Sequence, residues 1–401
     1  MGESTKKANK DIAFLFLLYW ILLVAWQNIL HVATGSTLDS LFKMALLFFL
    51  LFKSIGTRFT ISTMTLGYTL IVAFNLLITW IIDGQFTLRY ILNYIYPVVF
   101  AFVFLGINGN YQITSKELVL FLKGIIACVL FFSLYAVIFD TGKFLNAFSI
   151  SSAYGHELTS IFVSNHEYGL YLMAGIISCL LCIKLENRKK WFYIASICLF
   201  AINIVLTYSR TSLFATAILA IISMRGDKRT KRFMGILVFL GISMIIASSS
   251  LRDYIFNIVM KGNNDAGRFD LMEFGFGLFR QGSLITKLWG YGVGRVGSYI
   301  SIAEGHKSLH NAYLQTLVGY GLTGCGTILL FLYSHLKLSL KTIRINKFMG
   351  SVCCGLLFAC VSTMFTNTAV IFTSPVDSFF LTIFSIIIPR YVMNAVIAEV
   401  F

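Results

Sequence analysis

Long apolar runs recur along the whole chain, from Phe14 to Ile397, and they constrain the backbone more than any other feature does. A run of about 17–25 mostly apolar residues crosses the hydrocarbon core of a bilayer as a helix, because in lipid each backbone N–H and C=O must be satisfied within the segment. Read this way, the chain holds about twelve transmembrane helices, at roughly 12–30, 40–56, 61–82, 87–106, 118–139, 167–183, 191–207, 210–224, 233–249, 311–336, 349–371 and 376–397. Composition excludes a soluble domain: of 401 residues 58% are hydrophobic, 38 are Phe, only 12% are charged, and mean hydropathy is +0.82. A water-soluble fold would leave large apolar patches uncovered at that composition. Because equally apolar runs follow it, the first run is expected to be a retained span and not a leader ahead of a soluble body.

The formal net charge of +15 is distributed as a topology signal. Lys6, Lys7 and Lys10 precede the first span, Lys53 and Arg58 follow the second, and Lys184, Arg188, Lys189 and Lys190 follow the sixth. Arg225, Lys228, Arg229, Lys231 and Arg232 follow the eighth span, and Lys337, Lys341, Arg344 and Lys347 the tenth. All these loops fall on one side, as short basic loops do on the cytoplasmic face. Both termini are therefore expected in the cytoplasm. The chain divides into nine helices over 1–249, an extracytoplasmic segment over 250–310 and three helices over 311–401. No basic groove interleaved with aromatics lies outside the spans, so nucleic acid is not an expected partner. The eight cysteines sit in apolar spans as small hydrophobes; Cys179 and Cys182 form a CxxC, but no second pair accompanies it to make a metal site.

This topology sorts the polar residues. His31, His156, His166, His306 and His310, with most of the acidic residues, fall at or near the outer face, and few ionisable groups lie at midplane. An ion-coupled transporter needs relay groups and broken helices near the bilayer centre, which disfavours transport. A lipid-linked sugar flippase remains the alternative from a different class.

Three helices that run inward from the outer face open on polar clusters: Asn165-His166-Glu167, Ser209-Arg210-Thr211, and His310-Asn311 followed by Tyr313 and Gln315. Helix N-termini present free N–H groups and the positive end of the dipole, which suits an anion, and Ser209 fits an N-cap. Arg210 can fork onto a phosphate or pyrophosphate, or can snorkel to headgroups as a boundary residue. It stands on the side where positive charge is disfavoured, in a very tight turn between two spans. His310 offers a base that titrates near neutrality at the same depth.

The polar segment between Leu251 and Asn311 is the other place for chemistry. Ala266-Gly-Arg268-Phe-Asp270 is expected to open an amphipathic helix with Phe269, Met272, Phe276 and Phe279 as its apolar stripe, lying on the membrane surface or over the bundle mouth. Arg268 beside that stripe could reach a site or meet lipid phosphates. Gly290-Tyr-Gly-Val-Gly294 lacks the strand and helix of a nucleotide loop and reads as a tight turn beside the bundle. Gly319, Gly321, Gly324 and Gly326 are expected to permit close helix packing.

In order, Thr207-Tyr-Ser-Arg210-Thr-Ser, Gly267-Arg268 at a helix start, Trp289-Gly-Tyr-Gly-Val-Gly, His310-Asn-Ala-Tyr-Leu-Gln315 and Gly321-Leu-Thr-Gly324 resemble the bacterial O-antigen ligase/polymerase superfamily over about 165–324. The resemblance implies an all-α polytopic, GT-C-like membrane protein with one large extracytoplasmic loop containing short helices. It implies a glycosyltransferase at the outer face of the bacterial cytoplasmic membrane, with undecaprenyl-pyrophosphate-linked glycan as donor and acceptor. Membrane lipid surrounds such a protein, and a chain-length regulator protein could accompany it. The family's arginine between two spans, its loop arginine and its histidine after the loop fall on Arg210, Arg268 and His310 as catalytic residues. Asn165, His166, Ser209, Asn311 and Tyr313 are then expected to bind substrate. With no Asp-x-Asp pair, catalysis is expected to need neither metal nor other cofactor. The Gly-Tyr-Gly and His-Asn-x-Tyr-Leu-Gln patterns look more like a polymerase; transfer to lipid A-core by an O-antigen ligase is the alternative.

Overall fold

The computed structural model of the chain describes residues 114–142, 158–162, 165–186, 190–207, 209–224, 268–292 and 309–365, with scattered positions between 45 and 81 and at 235, 296, 388–389 and 391–392. Regular structure among the described residues is helical throughout: α1 Ser115–Phe139, α2 Asn165–Leu185, α3 Lys190–Leu206, α4 Arg210–Met224, α5 Arg268–Gln281, α6 Leu284–Trp289, α7 Ala312–Ile345 and α8 Lys347–Met364. Four of them, α1, α2, α7 and α8, are long and apolar enough to cross a membrane, while α3 and α4 are shorter apolar helices. These six coincide with expected spans. The spans expected at 12–30 and 87–106 lie outside the described residues, as do His31, His156 and His306; those at 40–56, 61–82, 233–249 and 376–397 are described only at scattered positions.

Contacts divide the chain into two compact units, Met1–Gln112 with Asp265–Lys337 and Thr363–Ile383, and Ile113–Asn264 with Leu338–Ser362 and Phe384–Phe401. In the second, α2 is the central element. Every residue from Tyr168 to Cys182 is buried, and the helix packs extensively on both α1 and α3 and also against α4. A helix that is apolar all round buries all round. By contrast α1 buries one face and leaves Leu120, Phe131, Leu134 and Ile138 exposed, as a helix against lipid does. Its start is set by a capping box: Thr114 Oγ1 accepts from the Glu117 N–H, and the Glu117 carboxylate accepts from the Thr114 N–H.

The tenth expected span ends late. Helix α7 runs nine residues beyond the expected 336 to Ile345, and Lys337, Lys341 and Arg344 occupy one exposed face of it and not a loop. A single residue, Asn346, then separates α7 from α8. Its N–H donates to the Thr342 carbonyl, and its side-chain oxygen caps the Met349 N–H, so it ends one helix and starts the next.

In the first unit, α5 lies on the opening turns of α7. Leu271, Leu309, Leu314 and Val318 form a core with Val296, to which Phe274, Leu278 and Tyr291 are added. The inward face of α5 is thus Leu271, Phe274, Gly275 and Leu278, at i, i+3, i+4 and i+7. Of the expected stripe, Met272 packs against this core, while Phe269 and Phe276 are 73% and 44% exposed and Leu271, outside the stripe, is 1% exposed. The apolar residues of α5 are thus divided between two faces.

Helix α7 is broken at Gly321, whose φ of 69° and ψ of −165° suit glycine alone. The break frees carbonyls that an unbroken helix would have used. Val318 and Gly319 accept from the N–H groups of Tyr291 and Gly292, and the Thr323 hydroxyl donates to the Leu288 carbonyl. The expected tight turn at Gly290 is therefore present, with φ 84°, and is keyed into the break. Gly321 serves this pairing and not helix packing, and among the described residues nothing stands within 4 Å of a Cβ built on Gly326.

Candidate active site

Two polar clusters hold the residues singled out in the sequence, one in each unit. The first is built on the turn between α3 and α4. Thr207 closes α3, its hydroxyl donating to the Ile204 carbonyl, and also accepts the Ser209 N–H. Ser209 is the N-cap of α4: its Oγ accepts from the Ser212 N–H at 3.2 Å and its carbonyl takes the Leu213 N–H. Thr207, Ser209 and Ser212 are buried, whereas Arg210, the first helical residue, is exposed.

The start of α2 forms the bed of this turn. Asn165 Nδ2 donates to the Thr207 carbonyl at 3.0 Å, and His166 Nδ1 shares a hydrogen bond with Ser209 Oγ at 2.7 Å. Ser209 Oγ is also 2.9 Å from Ser212 Oγ. One turn further along α2, Gly169 leaves the space that Ser212 fills; a Cβ there would stand 2.5 Å from Ser212 Cβ. His166 and Gly169 are thus matched, rung for rung, with Ser209 and Ser212. Sequence reading found Asn165, His166, Ser209 and Arg210, took in Thr207 and Ser212 only as the ends of the Arg210 motif, and missed Gly169. The signal available was the i, i+3 spacing of small or polar residues on both helices.

The second cluster surrounds the start of α7. Leu309 is buried in the core, and its N–H donates to the Gln315 side chain. Asn311, only 4% exposed, caps α7 by accepting the Leu314 N–H at 3.0 Å. Between these two pinned residues His310 adopts φ 48° and is exposed. A left-handed histidine held between two anchors is a strained element of the sort that function retains. Tyr313 is half-buried, with its ring 4.7 Å from that of Phe365. Arg268 opens α5, one turn before Leu271, so the core joins its helix to the His310 turn; the side chain of Arg268 lies outside the described residues, as do Tyr208, Gly267, Val293 and Gly294 of the motifs. No group of His, Cys, Asp and Glu among the described residues could hold a metal ion.

Residues 194–332 match the family model described as O-antigen ligase. The match bears out the superfamily resemblance and supports an O-antigen ligase- or polymerase-type activity in a multi-pass membrane protein. The matched region begins inside α3 and ends inside α7, so it takes in Ser209, Arg210, Arg268, His310, Asn311 and Tyr313. Asn165 and His166 precede it and join it through their hydrogen bonds to Thr207 and Ser209. No curated protein matches the chain.

Proposed function

We propose that the chain is a polysaccharide polymerase that joins undecaprenyl-pyrophosphate-linked repeat units at the outer face of the cytoplasmic membrane. The observation that carries this reading is Arg210. It is an exposed guanidinium on the first residue of an apolar helix with a buried cap, inside the O-antigen ligase region that also contains Arg268 and His310. The helix end and the planar cation both favour a multivalent anion such as a pyrophosphate.

In the proposed reaction the acceptor sugar hydroxyl attacks the anomeric carbon of the donor. The bond from that carbon to the pyrophosphate oxygen breaks, and the pyrophosphate leaves with the electron pair. Arg210 and Arg268 offset its developing charge, so no general acid is needed. His310 takes the proton of the attacking hydroxyl, and in-line attack inverts the anomeric centre. Ser209 and Asn311 fix, as caps, the helix starts beside which Arg210 and His310 stand, Asn165 and His166 brace the first of these starts, and Tyr313 completes the substrate site. The same reading assigns 1–249 and 311–401 to the membrane and 250–310 to the exterior.

A ligase that moves the finished glycan to lipid A-core is the second reading, favoured by the description of the matched family. Incubation of purified protein with a lipid-linked repeat unit separates the two. A ladder of products supports the polymerase, transfer only when lipid A-core is added supports the ligase, and no transfer under either condition overturns both.

A further inference from the structure

His166 is the residue of the first cluster whose role the reaction above leaves least defined, and its hydrogen bond gives it one. Ser209 caps α4 only while its Oγ points back along the helix towards the Ser212 N–H. A serine hydroxyl is free to rotate, and this one is fully buried, so water cannot supply a replacement partner. Its remaining hydrogen-bonding capacity is taken by Ser212 Oγ and His166 Nδ1, the latter the shortest of the three contacts. Asn165 fixes the preceding carbonyl, and Gly169 seats the following turn. Asn165, His166 and Gly169 of α2 thus all bear on the turn that starts α4, from which Arg210 leaves the helix.

We infer that His166 is a positioning residue for Arg210, acting through Nδ1 on the Ser209 cap and not through a contact of its own with the substrate. The inference deepens the proposed function and rests on it for its activity readout. Imidazole chemistry supplies a way to tell the two roles apart. Asparagine places a hydrogen-bonding amide atom where Nδ1 stands, whereas glutamine reaches the place of Nε2 and gives up the Nδ1 position.

The test uses the full chain in lipid nanodiscs, at matched amounts, with a lipid-linked repeat unit as substrate. His166→Asn should keep kcat/KM within about threefold of the unaltered chain, while His166→Gln and His166→Ala should lose about tenfold to a hundredfold, the scale of a misplaced catalytic group. Activity of His166→Gln with loss in His166→Asn would make Nε2 the working atom and overturn the inference. Equal activity in all three variants, or equal loss in all three, overturns it as well.

A second arm needs no enzyme activity. Arg210→Cys is combined with each His166 variant, and the rate of labelling by a charged maleimide is corrected for the chain that lacks the new cysteine. His166→Gln and His166→Ala should shift that rate by about threefold or more, and His166→Asn should not, because the reactivity of a thiol follows its local setting. An unchanged rate in all backgrounds overturns the positioning role even in an active enzyme. If the unaltered chain transfers no sugar, the functional reading falls while labelling still decides the role of His166.

Discussion

Gly169 of α2 and Ser212 of α4 face each other so closely that a Cβ on the glycine would stand 2.5 Å from Ser212 Cβ and closer still to its hydroxyl. Real Cβ atoms do not approach to that distance, so a side chain at 169 must push the turn that carries Arg210. Gly169→Ala is predicted to lower transfer about tenfold or more while the protein still reaches the membrane, a displacement of catalytic groups being costlier to rate than to folding. Combining it with Ser212→Gly removes both clashing atoms and should recover part of the activity in the same assay. Failure of the double variant to exceed Gly169→Ala would show that the close approach is not what the glycine is for.

Arg210→Lys separates charge from shape. A lysine keeps the positive charge but loses the planar fork that meets two phosphate oxygens at once. Activity is expected to fall about tenfold or more in Arg210→Lys and to vanish in Arg210→Ala, with membrane levels unchanged by immunoblot. Full activity in Arg210→Lys would mean that charge alone suffices.

His310 should show a split between stability and activity. Its φ of 48° carries a backbone cost that glycine would not bear. His310→Gly is therefore predicted to hold or raise the thermal midpoint in detergent while abolishing transfer, and His310→Val to lower the midpoint because a β-branched residue tolerates that conformation least. A large drop in midpoint for His310→Gly would place the side chain among the structural contacts.

Two glycines of α7, five residues apart, should respond in opposite ways. Gly321→Ala meets a backbone conformation closed to alanine and the Leu288 carbonyl carbon at 2.5 Å, so it should destabilise by about 1–3 kcal/mol or more and release the Tyr291–Gly292 pairing. Gly326→Ala, in a helix, meets no neighbour among the described residues and should stabilise by about 0.5–1 kcal/mol. Thermal midpoints of the two variants in one detergent check the contrast.

Much of this arrangement is legible in the chain itself, because it depends on local properties. Whether a run of twenty apolar residues forms a helix is decided by its own backbone hydrogen bonds, and α1, α2, α7 and α8 follow from their composition alone. The Thr114-Ser-Lys-Glu117 start of α1 and the Ser209 cap of α4 are equally local, each a side chain satisfying an N–H three residues on. The polar clusters at 165–167, 209–211 and 310–311 stand out for the same reason, as polar residues at helix starts in an apolar chain.

What sequence could not settle are the choices between two acceptable neighbours. Helix α5 carries apolar residues on two faces, and the 3.6-residue period is satisfied by either; only packing against Leu309, Leu314 and Val318 selected Leu271, Phe274 and Leu278 for the inside. Gly321 reads as one more small residue in a glycine-rich span until Tyr291 and Gly292 arrive to use the carbonyls its break exposes. His166 and Ser209, forty-three residues apart, are joined because α2 and α4 approach closely enough at Gly169 for one hydroxyl to be shared. Periodicity and capping are written along a single helix, whereas a shared hydrogen bond or a tight crossing belongs to two helices at once and exists only after they have packed.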